Sequence, residues 1–176
     1  MNETTQPTSL PLVPLRGGVV FPGVTTTISV GRRKSLAAAQ AAAKADGKIL
    51  IGVQFNSDIE SPGREDLAPV AILSTVRDVL RTSHLGVQML VEMEHRVNLD
   101  EIIQDDPYLV GNYREMTETT DGQPEALMAE TIAYLEQYVE SLGEVNRQVM
   151  ASLRTKETAG DLADFLDGIL NLPFDV

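Results

Sequence analysis

Few side chains in this sequence have the types and spacings that catalysis or metal binding requires. Neither histidine, His84 or His95, stands beside an acidic pair at a metal-ligand spacing, so both are predicted to be structural. Asp161, Asp164 and Asp167 recur every third residue and imitate the spacing of a cation site. Negative charge is favoured in the first turn of a helix, and charge runs are commonly solvated. We therefore expect all three aspartates on an exposed helical face, and no metal site.

Phosphate binding and nucleophilic catalysis have equally little support. A Walker A loop requires G-x-x-x-x-G-K-[ST], whereas the only Gly-Lys pair, Gly47-Lys48, is followed by Ile49 and predicts the end of a helix. Cysteine is absent, which excludes disulfides, thiolate metal sites and a cysteine nucleophile, and no G-x-S-x-G serine elbow occurs. We predict that this chain is not an enzyme and has no catalytic residue or cofactor of its own. One alternative is an enzyme whose cleft is assembled from residues distant in the sequence, and an activity screen would detect it.

The overall charge and composition restrict the partners. The 176 residues carry a formal net charge of −12, and an acidic surface repels phosphate backbones, so nucleic acid is not an expected partner. No stretch approaches the ~20 apolar residues of a membrane span, and the polar N-terminus lacks the features of a secretory signal. Together with the absence of cysteine, this predicts a cytoplasmic protein that does not use a membrane.

The first part of the chain is predicted to be rich in β-structure. Residues 1–9 are predicted to form a disordered tail and residues 10–116 a β-rich domain. Two prolines in residues 10–15 indicate an edge strand or a bent strand, and the alanine-rich run 35–45 predicts a helix. Further strands are predicted over residues 24–30, 48–55, 67–80, 85–103 and 108–116, with a hairpin turn at 81–84. This pattern favours a small curved sheet or a partly closed barrel.

The second part is predicted to be helical, which makes the fold class α+β. Residues 117–123 form a polar linker, and residues 124–176 form a helical subdomain. An apolar stripe from Pro124 to Val149 predicts one long helix, and a second stripe from Leu162 to Leu170 predicts another. Leu135 and Phe165 are expected to be buried where these helices pack.

An ordered set of short motifs links the chain to a known family. It comprises Leu10-Pro11, Pro14-Leu15-Arg16, Val20-Phe21-Pro22-Gly23, Val30-Gly31-Arg32 and Lys34-Ser35. Their order and spacing resemble the N-terminal substrate-binding domain of Lon ATP-dependent protease (peptidase S16 family). Residues 87–97 and the pair of segments Leu162-Ala163-Asp164 and Leu172-Pro173 extend the resemblance to the rest of the chain.

The resemblance implies a PUA-like, partly closed barrel followed by an α-helical bundle. It implies a module that binds unfolded or damaged proteins, in protein quality control and the stress response, for delivery to a homohexameric ATPase and protease ring. ATP, Mg²⁺ and the serine-lysine dyad would then belong to domains that this chain lacks as a fragment. The alternative is a stand-alone Lon-domain binding protein without a protease. Relatives of that kind carry a Phe-Glu-Pro-Arg-Tyr type run where this chain has residues 30–35, which favours the full protease.

Four apolar residues are predicted to form one shallow patch for client segments. Leu90 is the apolar exception on the polar face of its strand, whose other face carries Met89 and Met93 as predicted core. Phe21 and Pro22 lie in a turn, and Leu15 ends the first strand. Surrounding carboxylates are expected to favour clients with basic flanks.

Overall fold

Strands dominate the first part of the chain and helices the second. The structure is a computed structural model that describes residues 8–82, 86–117, 124–141 and 147–170. The chain divides into two compact units, one within Met1–Met116 and the other within Thr117–Leu172. The first unit contains β1 (Thr8–Leu15), β2 (Thr25–Val30), α1 (Arg33–Lys44), β3 (Lys48–Gln54), a 3-10 turn (Arg64–Asp66), β4 (Leu67–Thr82), β5 (Gly86–Gln104) and β6 (Leu109–Glu115). The second contains α2 (Pro124–Ser141), α3 (Arg147–Arg154) and α4 (Ala159–Leu170).

The six strands form one sheet in the order β2-β5-β4-β3-β1-β6, and β6 also pairs with β5. β1 is parallel to β3, and the other pairings are antiparallel. Among the described residues, β2 is the only strand with a partner on one side alone. It pairs with β5 in an unbroken register from Thr25, opposite Glu92, to Val30, opposite Val87.

A bulge distributes the long strands between two apolar clusters. Leu73 of β4 pairs with His95, but the next residue, Ser74, pairs with Met93, which leaves Glu94 unpaired. Because side chains alternate along a strand, one extra residue turns those beyond it to the other face. Met93 accordingly belongs to the first cluster and Val97 to the second.

The first cluster packs α1 against the sheet. Alanine has the highest helix propensity, and Ala38, Ala39 and Ala42 are buried against Ile49 and Ile51 of β3. Small side chains let the helix backbone approach the sheet closely. The second cluster comprises Leu12, Leu50, Leu67, Ala71, Leu73, Val97, Leu99, Leu109 and Tyr113.

Strand β1 corrects two expectations from the sequence. It begins at Thr8, which pairs with Tyr113, so the predicted tail is wrong for Thr8 and Ser9; residues 1–7 lie outside the described residues. It is not an edge strand, because it pairs with β6 up to Leu12 and with β3 from Leu12 onward. Each of its prolines therefore lies where β1 is paired on one side, and this accommodates the missing N–H.

Strand β4 extends two residues beyond the end that the sequence predicted. Arg81 and Thr82 belong to β4, opposite Val87 and Gly86, because the antiparallel register continues to the end of both strands. The remainder of the predicted turn, including His84, lies outside the described residues.

The helical unit differs from expectation in side-chain burial. Within the stripe predicted as one long helix, the described residues contain α2 and α3, and residues 142–146 between them lie outside the described residues. Leu153 and Leu162 are buried, whereas Leu135 and Phe165 are only half-buried, and Lys156 Nζ lies 4.6 Å from the Phe165 ring centroid. Asp164 is also buried, which corrects its predicted exposure.

Candidate functional site

A cleft of about 660 Å³ lies between the end of β1, with the segment after it, and strand β2. One wall is formed within residues 13–20 and the other by residues 26–32. Seven consecutive residues, 26–32, line this second wall, whereas a cleft over the face of a strand would meet alternate side chains. The cleft therefore runs along the unpaired edge of β2.

The floor of the cleft is apolar and continuous with the first cluster. Val13, Ile28 and Val30 are buried members of that cluster, and Leu15 and Val20 are half-buried and pack against it. The volume lies within the range of common binding pockets, and the support of a packed core holds the floor in place.

Two consecutive glycines shape the wall that follows β1. Gly17 has φ 58 and Gly18 has φ 142, both in the region that side chains disfavour. A Cβ at either position would meet nothing within 4 Å, so conformation and not space requires glycine here. The turn carries the chain out of β1 and across to the start of β2.

The predicted turn at Phe21-Pro22-Gly23 is confirmed, and it is fixed to β5. Gly23 has φ 76, and its N–H donates to the Met93 carbonyl at 2.9 Å. The Met93 N–H in turn donates to the Val24 carbonyl at 2.8 Å. Phe21 and Pro22 are half-buried in this turn and do not line the cleft.

Three charged side chains line the cleft. Arg16 Nη2 lies 2.9 Å from Glu60 Oε1, and Arg32 Nη2 donates to Gln54 Oε1 at 2.7 Å and to the Ile59 carbonyl at 3.2 Å. Arg32 Nε and Nη1 are buried and have no acceptor among the described residues. Burial lowers the pKa of Arg32, repulsion from Arg16 adds to this, and Glu60 opposes it. With two cations and one anion, the lining does not support the predicted preference for basic flanks.

The structure separates two of the predicted site residues. Leu15 lies in the cleft, on the side of the first cluster. Leu90 pairs directly with Thr27, and paired residues share a face, whereas the neighbouring Ile28 points into that cluster. Leu90 is therefore half-buried on the opposite face of the sheet from Leu15, and the two cannot form one patch.

Leu90 has an apolar neighbour on its own face. Leu90 also pairs with Asp78 of β4, and Leu80 lies two residues further along that strand. Leu80 is 48% exposed, so the two leucines form a small apolar area on the outer face of the sheet. Met89 and Met93 are buried on the other face, which confirms their predicted place in the core.

Sequence reasoning missed two parts of the cleft, the free edge of β2 and Arg32. The free edge depends on which strands pair, but the run Thr25–Val30 contains no charge and no proline, which is a usable signal. Arg32 stood out only as one of three consecutive basic residues. Its place in the cleft follows from the contacts that it makes with Gln54 and Ile59.

The one Gly-Lys pair does not fit a nucleotide. Gly47, with φ 83, donates its N–H to the Ala42 carbonyl at 2.9 Å, and its own carbonyl accepts from the Val76 N–H at 2.8 Å. Lys48 Nζ contacts Glu94 Oε1 at 2.5 Å. These groups end α1 and join it to the sheet, and they are not directed at a phosphate. No cluster of metal-ligating side chains occurs within the part of the chain that the structure describes.

None of the described helices combines the length and apolar character needed to cross a membrane.

The fold is that of an α+β protein whose sheet carries an open cleft beside β2. A sequence profile of the family described as "ATP-dependent protease La (LON) substrate-binding domain" matches residues 9–176. The chain therefore belongs to the Lon substrate-binding domain family, as the sequence motifs predicted.

Similar proteins agree with this assignment. The chain is 31% identical over 174 residues to the Lon protease of Brevibacillus choshinensis, covering 98% of this chain and 22% of that protein. It is 32% identical over 158 residues to the Lon protease of Xanthomonas oryzae pv. oryzae, covering 88% and 19%. The chain thus spans about a fifth of the length of these curated relatives.

Two solved structures share the fold. The N-terminal domain of Mycobacterium avium complex Lon protease has a TM-score of 0.73 at 19% identity, over 92% of this chain and 82% of that chain. The Lon N-terminal domain protein from Xanthomonas campestris has a TM-score of 0.52 at 16% identity, over 93% and 97%. The chain therefore has the Lon N-terminal domain fold, a mostly β sheet with a few helices.

Proposed function

We propose that this chain recognises exposed apolar segments of unfolded or damaged proteins and delivers them to the ATPase and protease parts of a Lon-type protease. The observation that carries the proposal is the cleft of about 660 Å³ beside β2, whose floor includes buried apolar side chains, in a chain that belongs to a substrate-binding domain family. An apolar floor suits clients that share exposed hydrophobic surface but no sequence.

We also infer that client binding and catalysis belong to different domains of the whole protein. ATP, Mg²⁺ and the serine-lysine dyad act in its other domains, and the whole protein works in the cytoplasm as a homohexamer. Supporting this, the curated relatives are named Lon protease, and this chain spans about a fifth of their length. The engagement of Gly47 and Lys48 within the fold further supports a chain that leaves nucleotide chemistry to other domains.

For the architecture, we infer the partly closed barrel and the helical bundle that the sequence favoured. The pairing of β6 with both β1 and β5 supports the barrel. β6 is the last strand in the order of the sheet, and β5 is next to the first strand, so this pairing partly closes the sheet. The ion pair between Arg154 Nη2 and Glu136 Oε1, at 2.6 Å, supports the bundle by joining α3 to α2.

Binding of an unfolded protein tests the proposed function. A reduced, carboxymethylated globular protein with a fluorescent label is titrated with the full 176-residue chain, and anisotropy reports the complex. We expect saturable binding that the same protein in its native, folded form does not compete away. Absence of binding, or equal competition by the folded form, would contradict recognition of exposed segments.

Leu15→Ser and Leu90→Ser then form a matched pair, since both replace a half-buried leucine and the two lie on opposite faces of the sheet. We expect Leu15→Ser to weaken binding several-fold and Leu90→Ser to leave it within about twofold, with the melting temperature measured for both. The opposite pattern would place the client on the outer face, beside Leu80 and Leu90.

A further inference from the structure

We propose that a client segment binds by adding a strand to the free edge of β2, inside the cleft, with an acidic side chain of the segment at the end of the cleft where Arg16 and Arg32 lie. This inference rests on the proposed function, since it states how the client is held. It commits to an extended polypeptide with alternating apolar side chains and at least one carboxylate.

The edge of β2 lacks the features that normally prevent strand addition. Natural edge strands are protected by charged side chains, prolines, bulges or a covering element. The run Thr25–Val30 has no charge and no proline, and its register with β5 is free of bulges. Within the described ranges, the cleft and not a strand lies on the other side of β2.

The hydrogen bonds at the start of β2 show which backbone groups face the cleft. The Met93 N–H donates to the Val24 carbonyl, which therefore points at β5, while the Met93 carbonyl accepts from the Gly23 N–H. Because hydrogen-bonded and non-hydrogen-bonded pairs alternate in an antiparallel ladder, Ile28 directs its N–H and carbonyl at β5. Thr27 and Ser29 therefore direct theirs at the free edge. These backbone groups can form hydrogen bonds with the main chain of an extended segment of any sequence.

The charges of the cleft identify the remaining feature of the client. Arg16, Arg32 and Glu60 give its lining an excess of one positive charge, in a chain with a formal net charge of −12. Arg16 and Arg32 repel each other, and this repulsion helps to lower the pKa of Arg32. A carboxylate brought to this end offsets the repulsion, so an acidic residue next to the apolar run strengthens binding.

Backbone-modified peptides test strand addition on the unaltered chain. The probe is a short fluorescent peptide with alternating apolar and polar residues and a glutamate at each end. Two versions carry N-methyl groups, one on the odd residues and one on the even residues, because only one edge of an added strand can pair with β2. We expect one version to lose at least about tenfold in affinity and the other to stay within about threefold. Equal effects, or none, would overturn the proposal.

The charge contribution is measured with the same probe. Replacing both glutamates by glutamine should weaken binding several-fold at low ionic strength and less at high salt. An unchanged or increased affinity would remove the acidic residue from the proposal.

A matched pair of variants places the added strand at β2. Thr27→Pro removes an N–H that faces the cleft and leaves the hydrogen bonds to β5 intact, whereas Thr27→Val keeps that N–H and a branched side chain. We expect Thr27→Pro to lose at least about tenfold in peptide affinity with unchanged far-UV circular dichroism, and Thr27→Val to bind as before. Equal loss in both would assign binding to the threonine hydroxyl. If Thr27→Pro does not fold, the comparison of the two N-methylated peptides still tests strand addition.

These outcomes separate the inference from the function on which it rests. If the unfolded protein binds but N-methylation has no effect, strand addition is wrong and client recognition stands. If neither the unfolded protein nor the peptide binds, both are wrong.

Discussion

Arg32 shows how one side chain connects the cleft to the rest of the sheet. It precedes α1, and its guanidinium reaches Gln54 at the end of β3 and the Ile59 carbonyl in the following loop. Gln54 is 4% exposed and also donates to the Ile59 carbonyl, at 2.8 Å. A buried polar side chain such as Gln54 is costly to leave without its hydrogen-bond partners. Arg32 therefore positions the wall of the cleft in addition to giving it charge.

Glu94, the unpaired residue of the β4–β5 bulge, makes stability depend on pH. Desolvation raises the pKa of Glu94, but hydrogen bonds from Lys48 and Thr75, with the attraction of Lys48 and His95, outweigh it and hold the pKa below its ordinary value of 4.5. A carboxyl whose pKa is lower in the folded state stabilises the fold above the unfolded pKa. That contribution is lost as the pH falls through the folded value.

We predict that Glu94→Gln lowers the free energy of unfolding at pH 7, and that its difference from the unaltered chain shrinks as the pH falls below about 4.5. Urea unfolding at a series of pH values measures this difference. Glu125→Gln, at an exposed position in the first turn of α2, is the control and should give a small difference with no such trend. A Glu94→Gln difference that stays constant with pH would contradict the role of the carboxylate.

At the scale of elements, two buried glycines show how closely the strands pack around the second cluster. Gly111 of β6 lies where an added Cβ would come within 2.7 Å of Leu99 Cδ1 and 3.3 Å of Leu50 Cδ1. Both leucines are themselves buried, so they have little room to move. Gly52 of β3 is also buried, but the nearest atom to its added Cβ, Leu12 Cδ1, is at 3.6 Å, an ordinary contact distance.

Gly111→Ala should therefore destabilise the fold by about 1–3 kcal/mol, the usual cost of overpacking a core. Gly52→Ala should lie within about 0.5 kcal/mol of the unaltered chain, since the added methyl meets no close neighbour. Chemical denaturation with a common slope measures both variants. Equal stability of the two would mean that the strands around Gly111 separate at little cost.

At the scale of the whole molecule, we expect this chain to have no activity of its own on ATP or on proteins. The sequence has no Walker A motif, and Gly47 and Lys48 make contacts within the fold. The isolated chain should neither hydrolyse ATP nor cleave casein, because we propose that the ATPase and protease chemistry belongs to other domains. A coupled phosphate-release assay and a casein digestion, in a preparation free of host protease, measure these rates. Either activity at a rate proportional to the concentration of the chain would contradict that proposal.

The sequence by itself determined the family and most of the elements. Motifs such as Val20-Phe21-Pro22-Gly23 depend on proline and glycine at positions whose backbone angles only they adopt easily, and Gly23 indeed has φ 76. The period-two pattern of residues 87–93 placed Met89 and Met93 in the core for the same local reason. Local rules fix turns, helices and the two faces of a strand, because they involve residues a few positions apart.

Only the tertiary structure decided where the candidate site lies. The free edge of β2 exists because β5 pairs with β2 on one side and β4 on the other, and the sequence of Thr25–Val30 does not specify which distant strands pair. The direct pairing of Leu90 with Thr27 turned Leu90 away from Leu15. Register between distant strands is set by the burial of whole faces, so one displaced residue changes which side chains meet. A linear pattern can therefore show that Leu90 is an exception, but not which residues it lies beside.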